Sequence, residues 1–196
     1  MTLRVTPLTG EAIAPALPAL ARLRIAVFRD WPYLYDGSLA YEERYLAKLA
    51  AAQGAVVVAA YDGAEIIGCA TAAPMAEVEA EFAQPFRQHG MDIARVFYCG
   101  ESVLLPAYRG RGLGHAFFDH REAQARRLGT FTHVAFCGVV RPESHPLRPE
   151  AYVPLDQFWS KRGYAKADGL VGQFTWKDIG ESAETAKPMQ FWLKSL

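Results

Sequence analysis

A chain of 196 residues, 51% of them hydrophobic and 21% charged, is long enough to bury its own core and too apolar to be disordered throughout. Its 21 Lys and Arg balance 21 Asp and Glu, so the formal net charge is zero, unlike that of a globally basic nucleic-acid binder. The longest clear apolar run, Ala55–Ala60, is far too short to cross a bilayer, and MTLRVTPLTG lacks the order of a secretory signal. The widely spaced Cys69, Cys99 and Cys137 indicate neither a disulfide framework nor a zinc site. The expectation is one soluble, cytoplasmic domain over residues 1–196, with no metal, no nucleic-acid partner and no membrane partner.

Ile13, Leu17, Leu20, Leu23 and Val27 recur at helical spacing, and Pro15 and Pro18 place the start of regular helix near Pro18. Arg29–Ser38 breaks the pattern; Ser38 caps a second helix that Gly54 closes. Ala55–Tyr61 and Glu65–Ala73 are strands joined through Asp62-Gly63, a hairpin signal. Met75–Gln88 is acidic and weakly helical, interrupted at Pro85. Ala94–Leu105 reads as a long strand whose internal Gly100 marks a bulge or a close backbone approach, and Pro106 ends it. A helix over Gly112–Leu128 stops at Gly129. A strand at Thr132–Val140, a proline-rich loop at Arg141–Pro154 and a short helix at Leu155–Lys161 follow. Leu170–Trp176 and Met189–Leu193 form a closing strand pair separated by a polar linker. A strand–helix–strand unit among hairpins implies an α/β fold with a mixed sheet and helices on both faces.

The stretch PAYRGRGLGH (Pro106–His115) carries the chemical signal. Gly110, Gly112 and Gly114 leave the backbone uncovered where a helix begins, its first amides have no internal partner, and Arg109 and Arg111 add charge. Two readings stand: an anion site for a phosphate or pyrophosphate, or a tight turn with two solvated arginines. A nucleotide P-loop is disfavoured because no Gly-Lys-Ser/Thr follows. A dinucleotide fingerprint fails because His115 occupies the third glycine position.

Arg109-x-x-Gly112-x-Gly114, after a long strand and before a helix, resembles the R/Q-x-x-G-x-G/A signature of the GNAT family of N-acetyltransferases. The order of elements is similar over nearly the whole chain, and Phe158-Trp159-Ser160-Lys161-Arg162-Gly163-Tyr164 resembles the family's late F-Y-x-x-x-G-F motif. The resemblance implies an acyl-CoA N-acyltransferase fold with six to seven strands and acetyl-CoA as co-substrate. It further implies direct acetyl transfer to a primary amine on a small molecule or peptide. Arg109, Gly110, Arg111, Gly112, Leu113, Gly114 and His115 would hold the CoA pyrophosphate, and Ser102, Val103 and Leu104 would line the pantetheine.

Departures from the family pattern bear on catalysis. Tyr98 occupies the usual position of the base glutamate and Trp159 that of the acid tyrosine; an indole N–H has no useful acidity. Glu101 is the candidate base, against the reading of a strand-edge carboxylate facing solvent; Tyr98 and Tyr164 are candidate proton donors, against that of core aromatics. Trp31, Tyr33, Tyr35 and Asp36 would form an aromatic acceptor loop, against the reading of aromatic packing that anchors an irregular loop. Arg141, His145 and Arg148 would add polar groups from the proline-rich loop, and arginines facing the cleft would imply a carboxylate or phosphate beside the substrate's amine. His115, Arg121, Arg126 and Arg127 read as a solvated basic face or as contacts to the CoA 3′-phosphate, and Cys99 and Cys137 as inert core thiols, a reactive pair only if their strands are neighbours and a thiolate is stabilised. Met189–Leu193 is placed to pair across a homodimer. Two rival readings remain open: a CoA-binding or regulatory module without catalysis, and a protein-interaction domain using Trp31–Tyr35.

Overall fold

The computed structural model describes residues 3–196. Strand β1 (Leu3–Leu8) precedes helices α1 (Leu17–Phe28) and α2 (Leu39–Ala51). The hairpin β2 (Val56–Asp62) and β3 (Glu65–Pro74) follows, then α3 (Ala80–Gln88), β4 (Val96–Leu104), α4 (Leu113–Leu128) and β5 (His133–Val139). Helix α5 (Asp156–Lys161) leads into β6 (Ala165–Trp176) and β7 (Thr185–Ser195). One seven-stranded sheet has the order β1-β2-β3-β4-β5-β7-β6, antiparallel throughout except for β4 and β5.

The sequence dictates which strands lie at the centre. Val56–Ala60 and Ile67–Ala73 are continuous apolar runs because both faces of β2 and β3 are covered. On one face Phe97, Cys99, Phe136 and Trp192 pack with Phe117 and Phe118 of α4 and with Phe158 of α5. On the other, Val57, Cys69 and Val103 pack with Leu20 and Leu23 of α1 and Leu46 of α2. Tyr98, Cys137 and Phe191 meet Ala83 and Phe86 of α3 beside them. Ser38 caps α2 as its residue type predicts, accepting from the Tyr41 amide at 3.4 Å.

The chain departs from the sequence reading in four places. Strand β1 escaped it, being a half-exposed edge strand whose Pro7 weakens the signal. Pro85 lies inside α3, where burial of Ala83, Pro85 and Phe86 offsets the one helical hydrogen bond that proline forgoes. Strands β6 and β7 extend beyond their apolar cores through exposed residues at the outer end of the hairpin. Met189–Leu193 offers no pairing edge for a dimer, because β7 is hydrogen-bonded on both sides, to β5 and to β6.

Candidate active site

The site begins with the glycine inside β4. Two residues of β4, Gly100 and Glu101, stand opposite the single Thr71 of β3, so the register slips at this point. A Cβ on residue 100 would fall 2.6 Å from the Thr71 hydroxyl oxygen, which only glycine avoids. The bulge changes the strand's alternation. Without it Tyr98, Gly100 and Ser102 would share a face; with it Glu101 and Val103 follow Tyr98 toward α1 and α2.

Glu101 is therefore not a solvent-facing edge carboxylate: it is 5% exposed. Its Oε2 receives Arg24 Nη1 of α1 at 2.7 Å, and the Tyr45 hydroxyl of α2 donates to the same oxygen at 3.5 Å. Arg24 also pairs with Glu42 of α2, which is wholly buried. Burial alone would make the Arg24 guanidinium easier to deprotonate, but Glu101 and Glu42 outweigh it and raise its pKa well above the ordinary value. The cluster holds two carboxylates against one guanidinium. Glu101 Oε1 is buried with no hydrogen-bond partner among the described residues.

Behind the bulge stands a residue that the sequence reading placed in solvent. Arg121 of α4 is 1% exposed and makes no ion pair among the described residues. Its Nη1 donates to the carbonyls of Thr71, at 3.4 Å, and Glu101, at 3.2 Å; its Nε donates to Phe117 O at 3.2 Å. Stacked on Phe118 at 4.6 Å, it ties α4 to the carbonyls on both sides of the slip.

Strands β4 and β5 pair only over Val96–Tyr98 and His133–Ala135. Beyond Tyr98 they diverge, β4 continuing against β3 and β5 against β7. The facing backbone edges of this wedge have no strand partner. At its far end, Gly110 and Gly112 adopt φ of +76° and +80°, and a Cβ at either would meet nothing within 4 Å. Glycine is required there by backbone conformation rather than by crowding. Gly112 caps α4 without a side-chain bond, and the amides of residues 110–114 reach no backbone acceptor among the described residues. Arg109 anchors the turn to Leu104 O at 3.3 Å and Arg111 to Ala107 O at 3.1 Å.

On the α1–α3 side the wedge opens into a cleft of about 130 Å³. Tyr98, Gly100 and Glu101 of β4 and Cys137 of β5 form its floor; Tyr33, Tyr35, Tyr41, Tyr45, Phe82, Phe174 and Trp176 form its walls. Glu79 and Glu81 lie at its α3 side.

Several expected site residues lie elsewhere. Tyr164 is buried among core aromatics and donates to Glu122 of α4 at 3.1 Å, so its hydroxyl does not reach the cleft. Tyr98 does line it, but its hydroxyl is 3.2 Å from Cys137 Sγ, and burial raises its pKa well above the ordinary phenol value. Burial likewise pushes the Cys137 thiol up to about 12, consistent with an inert thiol. Of the aromatic loop, Tyr33 and Tyr35 line the cleft; Trp31 packs on His145 and Tyr152 instead, with ring centroids 5.0 and 5.9 Å away. Asp36 is half-exposed and held by Lys177 at 2.6 Å, a hydrogen bond that lowers its pKa. His145 accepts from the Leu147 amide and Arg148 lies over Tyr152, so neither faces the cleft. The Val103 side chain is buried under α1 and α2, which leaves its backbone, not its isopropyl group, at the wedge. Ser102 is exposed and Leu104 half-buried.

The sequence reading missed Arg24, Glu42, Tyr45 and Arg121. Arg24 was the visible signal, a lone arginine on the Leu20–Leu23–Val27 face of α1. Among the described residues no cluster of His, Cys, Asp and Glu could hold a metal, and no helix is long and apolar enough to cross a membrane.

A parallel strand pair thus splays beside a helix N-terminus that no side chain caps. The model of the acetyltransferase (GNAT) family matches residues 20–149, and the chain belongs to that family. No curated protein matches it. Among solved structures it is similar to the ribosomal-protein-alanine N-acetyltransferase of Brucella melitensis, with 12% identity, TM-score 0.63 and 100% of both chains covered. It also resembles an acetyltransferase of Thermus thermophilus, with 15% identity, TM-score 0.58, and 100% of this chain and 98% of that one covered. A PaiA N-acetyltransferase of Thermoplasma acidophilum, solved in complex with coenzyme A, is 12% identical with TM-score 0.57 over 100% of both chains. At these identities the likeness establishes the fold.

Proposed function

We propose that this protein is an acetyl-CoA-dependent N-acetyltransferase that passes acetyl directly to a primary amine. The observation that carries the reading is the continuity of three features: the uncapped turn at Gly110–Gly114, the free edges of β4 and β5, and the cleft holding Glu101. The turn supplies amides and a helix dipole for the diphosphate. The strand edges offer unpaired amides and carbonyls to the flat, amide-bearing pantetheine arm, much as a sheet edge takes up an added strand. An edge amide aimed at the thioester oxygen would stabilise the oxyanion as the carbonyl becomes tetrahedral.

Glu101 supplies the base. Its free Oε1 accepts the proton of the incoming ammonium, directly or through a water, while Arg24 holds Oε2 and keeps the carboxylate in place. The neutral amine attacks the thioester carbon and the C–N bond forms; as the C–S bond breaks and CoA leaves as thiolate, the nitrogen gives up its second proton, which balances the one taken up by sulfur. Of the two candidate tyrosines only Tyr98 borders this space, so it is the side chain placed to return a proton to sulfur.

Trp159 favours the rival reading of a binding module, since it stands where the family places its acid. A thiol-release assay over an amine panel decides between them. Turnover of any primary amine supports the transferase, and CoA binding with no turnover on any amine supports the module.

A further inference from the structure

We infer that the acceptor is a small amine with an aromatic or alkyl body and no anionic group. This rests on the acetyltransferase reading and concerns the selectivity of the same cleft. The charge of the lining is one-sided. Glu101 presents a buried, unpartnered Oε1, Glu81 stands at the α3 side, and Glu79 beside it is paired with Lys48. Glu81 is pushed up by partial burial and by its neighbour Glu79. The one cationic side chain in the lining, Arg24, is already engaged by two carboxylates. Among the described residues of the lining no guanidinium or ammonium is left to receive a carboxylate or phosphate on the substrate.

The arginines that could have done so are committed elsewhere. Arg141 forks onto Asp178 at 2.6 and 2.9 Å and donates to the carbonyls of Pro32 and Tyr33. Arg148 lies over Tyr152, outside the cleft. An anionic group brought into this space would meet carboxylates and ring faces, and its desolvation would go uncompensated. An ammonium would meet a free carboxylate oxygen and the negative faces of aromatic rings.

Size narrows the class further. A cavity of about 130 Å³ compares with the roughly 150 Å³ apolar cavity that accommodates a benzene ring. Phe82 and Phe174, 4.4 Å apart between centroids, and Trp176 give the body of such a molecule flat apolar walls. The cleft is thus built for one ring or a short alkyl chain that ends in an amine.

The test is a matched pair that differs by a single carboxylate, phenethylamine and phenylalanine. Each is assayed for thiol release from acetyl-CoA and, separately, for calorimetric binding to the CoA-saturated protein. We expect kcat/KM for phenethylamine to exceed that for phenylalanine at least tenfold, with the same order in binding. Parity, a preference for the amino acid, or turnover confined to amines bearing an anionic group would overturn the inference and leave the acetyltransferase reading intact. Binding of phenethylamine without turnover of any amine would uphold the cleft's selectivity and remove the transferase reading. Absence of binding by both compounds overturns the inference whatever the fate of CoA. The variant Tyr41→Arg places a cation at an exposed position of the lining; it should narrow the ratio severalfold with an unchanged melting temperature. A ratio unaffected by that charge would count against the cleft as the selective element.

Discussion

At the scale of single residues the chemistry turns on how Glu101 is held. Arg24 and Tyr45 fix one carboxylate oxygen and leave the other free. Arg121 sets the backbone from behind by donating to the carbonyls of Thr71 and Glu101. Replacing Glu101 by Gln keeps the shape and removes the basicity, so kcat should fall by about 10²- to 10⁴-fold while CoA affinity is retained. Steady-state rates beside CoA titration would check this, and equal rates at every pH for variant and parent would take Glu101 out of the mechanism. Part of the arrangement was legible in the sequence. Gly100 inside an apolar strand announced a bulge, and a bulge is what turns Glu101 toward Tyr98's face. The partners were not legible. An arginine on a helix face reads as a solvated charge until tertiary structure sets Glu42 and Glu101 beside it. Arg121 was hidden for the same reason, since the carbonyls it binds belong to strands distant in sequence.

At the scale of elements, the turn between β4 and α4 is the best-signalled feature of the chain. Its glycines, its arginines and the proline that ends β4 all lie within one short stretch, so local chemistry alone marks the helix start. Gly112→Glu would force a side chain into a left-handed backbone position and set a carboxylate where the diphosphate should lie. Because a Cβ there meets open space, the fold should persist while CoA binding falls below detection in a thermal-shift titration. Unchanged CoA affinity would move the anion site elsewhere. The acceptor loops were read less well. The proline-rich segment 141–154 does meet the Trp31–Asp36 loop, but through Arg141 on the carbonyls of Pro32 and Tyr33 and through packing of Trp31 with His145 and Tyr152, rather than around the cleft. Aromatic residues in a loop carry no local mark that separates an anchor from a binding wall.

At the scale of the whole molecule, the cleft depends on a buried clamp that joins three distant segments. Asp178 takes Arg141 from the segment after β5 and Lys187 from β7, and Arg141 also binds carbonyls at Pro32 and Tyr33. Asp178→Ala would leave the buried Arg141 with carbonyl acceptors alone and Lys187 with Glu181 as its one carboxylate, a loss of up to about 3–5 kcal/mol, which should lower the melting temperature clearly. Burial would raise the Asp178 pKa, but the hydrogen bonds from Arg141 and Lys187 prevail and hold it below its ordinary 3.8. A depressed folded-state value means that this stabilisation is complete above about pH 4 and drains away as the pH falls through the folded pKa. Acid titration of stability should therefore be shallower for Asp178→Asn than for the parent below pH 4; coincident slopes would show that the clamp contributes nothing. The sheet's mixed character and its helices on both faces were readable from periodicity and turn residues. Edge strand β1 and the long ends of β6 and β7 were not, because β1 is short and interrupted by Pro7 and the hairpin ends lack the apolar run that marks a strand buried on both faces.

The most direct measurement is a crystal structure of the protein soaked with CoA. The diphosphate should lie on the amides of residues 110–114, the pantetheine arm between β4 and β5, and the sulfur beside Glu101 and Tyr98. Diphosphate bound at any other surface, or a glycine turn left empty at saturating CoA, would contradict this placement.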